Sequence, residues 1–201
     1  MIESKKDYYE FLKCDKTALG RNHLKRPRFM HDVIWSYQIL LRKCEYYNNC
    51  RHDFIGKIIC KLLKMRFVHL NHKLGFSIPL NVFDKGLSIA HYGTIVVNAN
   101  AVVGENCRIH EGVTIGVTGD DYKDGKTGSA AIIGDRVFLA SGVKVIGRVQ
   151  IANDVAIGAN SVVVHDILEA NTTWAGIPAK KISSKGSSQY ILRGVEDESG
   201  I

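Results

Sequence analysis

Between residues 97 and 163, aliphatic side chains recur at every sixth position: Val97, Val103, Ile109 and Ile115, then Ile133, Leu139, Val145, Ile151, Ile157 and Val163. Two residues before most of them sits a second small or aliphatic residue: Ala101, Cys107, Val113, Val137, Val143, Val149, Val155 and Ser161. A spacing of six matches neither the 3.6 of a helix nor the simple alternation of a hairpin sheet. It predicts a solenoid whose flat faces are each one short strand and a turn. Three faces per coil give about 18 residues per turn of such a solenoid, so that positions i and i+18 stack. One edge then reads Val97, Ile115, Ile133, Ile151 and a second Val103, Asp121, Leu139, Ile157. The third reads Ile109, Thr127, Val145, Val163.

Asp121 and Thr127 cannot fill a dry core. Both fall in the polar, Gly-rich run at 117–132, which is therefore expected to loop out, with the register resuming at Ile133. Loops expelled from a rigid scaffold tend to carry function.

Ahead of the solenoid the periodicity is helical. Tyr8, Phe11 and Leu12 mark a short helix over 4–13, followed by a linker at Gly20–Arg28 with Pro27 as a breaker. Val33, Ile34, Tyr37, Leu40 and Leu41 mark a helix from His31 to about Tyr47, with Asn48-Asn49 read as a turn. Phe54, Ile58, Leu62 and Met65 mark another from Asp53 to His72. Gly75 is where helical spacing stops. The division expected is a helical unit over 1–74, a β-solenoid over 75–183 with its protruding loop at 117–132, and a mobile tail over 184–201 with a short helix at Gln189–Arg193.

Composition and charge narrow the picture. With 45% hydrophobic and 23% charged residues among 201, the chain is of globular type. Residues 1–74 carry 16 Lys+Arg against 7 Asp+Glu, a balance of +9; the rest carries 11 against 13, a balance of −2. Solvated helix faces explain that asymmetry, and so does attraction to an anionic partner such as an acidic glycan or a lipid surface. Nucleic acid is not expected, since the basic residues are not interleaved with stacking aromatics. The opening residues lack the apolar run of a secretory signal. Five cysteines (Cys14, Cys44, Cys50, Cys60, Cys107), odd in number and without CxxC spacing, suit reduced thiols in a cytoplasm.

Extending the six-residue row backwards from Val97 lands on His91, an imidazole where the regular coils carry an aliphatic residue. His110 lies one coil up. A histidine near neutrality with a neighbour to fix its tautomer is the usual general base, whereas a hydrogen-bonded histidine closing the core would be merely structural.

The run Gly86-Leu87-Ser88-Ile89-Ala90-His91-Tyr92-Gly93-Thr94-Ile95-Val96-Val97 resembles the first coil of hexapeptide-repeat serine acetyltransferases. So do Val113–Gly119 and the terminal Ala175-Gly176-Ile177-Pro178-Ala179-Lys180. The resemblance covers about residues 75–183 and extends to the serine acetyltransferase-like enzymes that O-acetylate surface sugars. It implies a mainly β fold: a left-handed parallel β-helix behind an N-terminal helical unit. It also implies acetyl-CoA as acetyl donor, no metal, and a homotrimer, with a dimer of trimers left open. His91, twelve residues after Pro79, falls on the family's catalytic histidine. Backbone N–H groups around Gly116–Gly119 would hold the oxyanion. The donor would lie against Gly119, Ser141 and Ala159, with Lys180 and Lys181 meeting its phosphates.

The acceptor half departs from the pattern. The acidic residue expected just before the histidine is Ala90; the acidic partner fifteen residues upstream is Phe76; the Arg-His pair after the Gly-rich loop is Ser129-Ala130. A neutral sugar hydroxyl, in surface polysaccharide assembly, is therefore the leading acceptor, held by Asp84, His110, Asp120, Asp121 or Tyr122. Asp84 or Glu111 would orient His91. The close alternative is serine O-acetylation feeding cysteine synthesis; the terminal Ile201 matches many members of that family. A silent β-helix scaffold is a third reading. A metal-dependent hydratase with His91 and His110 as ligands lacks a near third histidine, His165 being three coils away.

Overall fold

The computed structural model describes residues 1–120 and 130–192. Three helices come first: α1 (Lys5–Ala18), α2 (Val33–Cys50) and α3 (Phe54–Leu74). Ser4 caps α1 by accepting from the Asp7 N–H at 3.1 Å. The turn expected at Asn48-Asn49 is absent, because α2 continues to Cys50. The break comes three residues later, where Asp53 accepts the Gly56 N–H at 3.0 Å and starts α3. Gly75 ends α3 in the left-handed region at φ 77°.

After α3 the chain winds into a left-handed parallel β-helix. One face stacks Phe76–Ser77, Ile95–Val97, Thr114–Gly116, Lys144–Ile146 and Val162–Val163. A second stacks Val102–Val103, Ile132–Ile133 and Gln150–Ile151. The third stacks Ser88–Ile89, Arg108–Ile109, Phe138–Leu139, Ala156–Ile157 and Thr173–Gly176, closed by antiparallel Ala179–Ser183. The six-residue row from Val97 to Val163 is buried throughout.

Two departures from the i+18 scheme bear on the site. Across the loop, Val103 pairs with Ile133, Ile109 with Leu139 and Ile115 with Val145, each five hexads on instead of three. The pairing thus skips two whole hexads between Ile115 and Ile133, most of them outside the described residues. Ile133 begins the face after Ile115 instead of stacking on it, and every later row moves with it. The second departure is at the first coil, where Ile89 pairs with Ile109, a full coil and two positions further along. Those two extra positions widen the corner between Ile89 and Ile95. Ile89 takes the inward position, and His91 sits exposed on that corner, not beneath the aliphatic row as its spacing suggested.

Helices and β-helix are joined by buried polar groups. The fully buried Arg42 guanidinium donates to Asp15 at 2.8 and 3.2 Å, to Glu45 at 3.0 Å and to the carbonyls of Phe83 and Asp84. Asp15 in turn accepts the N–H groups of Gly86 and Leu87. Gln38 donates to the Leu87 carbonyl at 2.7 Å and accepts from the Ile89 N–H at 3.2 Å. The strand leading into His91 is thereby fixed on both sides.

At the far end, residues expected to trail away return to the scaffold. Ser187 is buried, with its N–H on the Asp154 carbonyl at 3.0 Å, and Tyr190 stacks on Phe138 at 4.4 Å. A 3-10 turn at Ser187–Gln189 replaces the helix expected over 189–193. Residues 193–201, including Ile201, lie outside the described residues.

Candidate active site

The widened corner carries His91 outward, and the next coil presents His110 and Glu111 directly above it. The His91 and His110 rings meet edge to face, centroids 5.5 Å apart and planes at 86°. Nitrogen or carboxylate atoms of His91, His110 and Glu111 all lie within 4.8 Å of one another. One coil further, Ser141 places its Oγ 3.5 Å from His110 Nδ1 and hydrogen-bonds Glu111.

Glycines let the coils approach this closely. Gly93, Gly112 and Gly142 follow the site residues on successive coils, all at positive φ. A Cβ on Gly112 would stand 3.1 Å from Gly142 backbone, and one on Gly93 would stand 3.0 Å from Glu111 Cβ.

Burial dominates the electrostatics of His110, and hydrogen bonding those of Glu111. His110 is held below the ordinary histidine value, first by desolvation, then by the nearby Arg108 and by His91, against an opposing pull from Glu111. Glu111 is held below the ordinary carboxylate value, mainly by its bond to Ser141. His110 is therefore poised neutral and Glu111 charged. Among the described residues, His110 Nε2 and Glu111 Oε2 are buried without a hydrogen-bond partner, two polar atoms of the kind a ligand satisfies. A cysteine nucleophile has no place here: Cys107 is fully buried, its thiol pushed up to about 12.

The residues singled out from sequence divide clearly. His91 and His110 come together, and of the two carboxylates considered as partner, Glu111 joins them. Asp84 stands apart, its side chain accepting the Lys85 N–H and its carbonyl bound by Arg42. Ser141, assigned to the donor, touches His110 and Glu111; Ala159 is exposed one coil further on. Gly119 and Asp120 are exposed at the root of the loop, while Asp121 and Tyr122 lie outside the described residues. Lys180 is exposed on the terminal hairpin, and Lys181 pairs with Glu169 at 2.6 Å. The third group that could join the two histidines on a cation is Glu111, not a histidine.

Sequence reading missed Arg108 and the 19–35 segment. Beside His91, a cavity of about 380 Å³ runs between that segment and the β-helix, lined by Arg21, Asp32, Trp35, Ser88 and Arg108 among others. Ser141 was findable as a neighbour of Glu111: it lies five hexads on, the same offset as Ile109 to Leu139.

No family model matches the chain. A serine acetyltransferase of Staphylococcus epidermidis is 37% identical over 157 residues, which are 77% of this chain and 65% of that protein. The chain is a hexapeptide-repeat, serine acetyltransferase-like protein. It spans just under two thirds of that relative's length. The Brucella abortus strain S19 serine acetyltransferase in complex with coenzyme A superimposes with a TM-score of 0.65 at 26% identity, over 90% of this chain and 70% of that one. The soybean serine acetyltransferase complexed with serine gives 0.64 at 22% identity, over 89% and 70%, and speaks for the serine acetyltransferase-like fold alone.

Proposed function

We propose that the chain is an acetyl-CoA-dependent O-acetyltransferase whose acceptor is the hydroxyl of serine. The observation carrying the reading is the exposed His91 backed by His110 and Glu111 in a serine acetyltransferase-like scaffold. The relatives are named for serine, and one solved neighbour was captured with coenzyme A. They favour serine over the saccharide acceptor that the missing acidic and Arg-His positions had put first.

In this mechanism His91 takes the proton of the acceptor hydroxyl as its oxygen attacks the acetyl thioester carbon. A C–O bond forms and the carbonyl becomes a tetrahedral oxyanion, held by backbone N–H groups. Collapse breaks the C–S bond, and protonated His91 returns its proton to the thiolate. The products are O-acetyl ester and free CoA thiol, so the balance closes without oxidant, metal or covalent enzyme intermediate. Glu111 and His110 set the orientation and charge around His91.

The donor's path along Gly119, Ser141, Ala159, Lys180 and Lys181, and a trimer that completes the groove between subunits, belong to the same proposal. Five free thiols suit a reducing compartment. No helix among the described residues is long and apolar enough to cross a membrane. The test is thiol release from acetyl-CoA with L-serine and with neutral sugars in parallel. Turnover of sugars without turnover of serine would reverse the acceptor assignment, and no release with either would remove the enzyme reading.

A further inference from the structure

The cavity beside His91 has an unbalanced charge. Asp32 is its acidic group, and both oxygens are already engaged: by Arg28 at 2.8 and 3.3 Å, and by Arg21 at 3.2 Å. Arg108 has no such partner. Among the described residues it forms one hydrogen bond, from Nη1 to the Ser88 hydroxyl at 3.1 Å, and no ion pair. Ser88 lies beneath it in register, and Ile109 turns inward between Arg108 and His110, so both side chains point out of the same face. The guanidinium is half-buried, and desolvation pulls it below the ordinary arginine value.

A guanidinium carries five N–H donors in a planar fork that fits a carboxylate. Four of them have no acceptor among the described residues, in a partly desolvated site where charge interactions are strengthened. A neutral cavity wall would not need that group. At about 380 Å³ the cavity suits a small molecule. Because Arg108 and His91 line the same space, a molecule gripped by one can present a hydroxyl to the other.

We infer that Arg108 recognises a carboxylate on the acceptor, so that this cavity selects hydroxyl acceptors that are also carboxylates. The inference rests on the proposed acetyl transfer to serine and deepens it. Phe76, Ser129 and Ala130 occupy positions where the resemblance leads one to expect acceptor-gripping side chains. Arg108, from a different coil position, supplies the missing charge. It acts on binding and not on the proton transfer.

The experiment compares initial rates of thiol release from acetyl-CoA with L-serine and L-serinamide, which differ in the carboxylate alone, and with neutral sugars. Wild type is expected to favour L-serine by about 10–100-fold in kcat/KM, the scale on which a lost charge-assisted contact discriminates. Arg108→Gln should raise the KM for L-serine by a similar factor, leave L-serinamide within about twofold, and leave the KM for acetyl-CoA unchanged. Arg108→Lys should recover part of the loss, since it restores charge without the fork. Arg108 sits outside the core, and an unchanged thermal unfolding midpoint would show that each variant folds. Equal use of serine and serinamide by wild type overturns the inference, as does an unchanged serine KM in Arg108→Gln. So does a rise in acetyl-CoA KM in its place, which would make Arg108 a phosphate contact. In all three cases serine turnover by wild type leaves the serine acetyltransferase reading standing. Turnover of neutral sugars with no turnover of serine overturns both.

Discussion

His91 and His110 meet edge to face at 5.5 Å although they belong to successive coils, because the corner at 90–94 is two residues longer than a regular one. The extra length turns His91 out of the stack and beneath the next coil's His110. In the proposed general-base role, His91 should be worth ~10²–10⁴ in kcat. Because His91 is exposed, His91→Ala leaves no buried cavity; its unfolding midpoint should match wild type while thiol release collapses. A variant retaining more than a tenth of wild-type kcat would remove His91 from the chemistry.

His110 yields a prediction about pH. Its folded value is depressed, so between that value and the ordinary one near 6.5 the unfolded chain binds more protons than the folded one. The stability it allows is intact above about pH 6.5 and declines as pH falls through that value toward its own lower one. His110→Gln should therefore show a flatter stability curve over this window than wild type, by urea denaturation at matched pH values. Glu111, also depressed, acts in a separate window below about pH 4.5. Replacing it by Gln removes the influence that raises His110, and the His110 ring resonance should then titrate at still lower pH by NMR.

The row of aliphatic residues was legible because a solenoid core repeats one environment, and one residue class fills it at a fixed spacing. Which rows stack was not. Stacking depends on how many residues leave the coil, and two insertions of different length, two hexads at the loop and two residues at the His91 corner, each shift the faces. The Arg42–Asp15 pair was hidden for another reason. On a helix whose partner is unknown, a charged residue reads as solvent-facing, and nothing local marks it as buried.

Arg42 should be the costliest charged residue to lose. Arg42→Met leaves Asp15 and Glu45 as buried carboxylates without a counter-charge, a change that costs about 3–5 kcal/mol when one partner of a buried pair is removed. Because the same guanidinium holds the Phe83 and Asp84 carbonyls just ahead of the His91 strand, kcat should fall as well. Urea unfolding and thiol release measured on one preparation check both; a loss under about 1 kcal/mol would mean that the helices are not seated on the β-helix in this way.

The proximity of His91, His110 and Glu111 raises the question of a metal-dependent reaction. If His91 acts as a base, its nitrogen must be free to take a proton, and a bound cation would block it. Thiol release should then survive EDTA undiminished, and micromolar Zn²⁺ should inhibit. Loss of turnover in EDTA with recovery on adding a divalent ion would make the cluster a metal centre in place of a proton-transfer site.

The register on either side of the loop fixes how many residues the chain can lose there. Deleting residues 118–129 removes two whole hexads, so that Ile133 follows Ile115 by six and Ala131 takes the place that Val113 holds before Ile115. Val103 would then stack on Ile133 at the regular three-hexad offset, with the inward and outward positions of every later strand kept. That variant should fold with the β-rich circular dichroism of wild type and a comparable midpoint. Deleting only 118–122 offers a control: it leaves Ala130 and every later residue of the coil in place and should be equally well tolerated. Deleting 118–130 is different. It takes one residue from the coil itself, and a one-residue slip turns the inward set of a strand outward. This longer deletion should therefore be far less stable than that of 118–129, although it differs by a single alanine. Equal stability of the two would mean that Ala130 belongs to the loop, and that the coil resumes one residue later than Ala131 pairing implies.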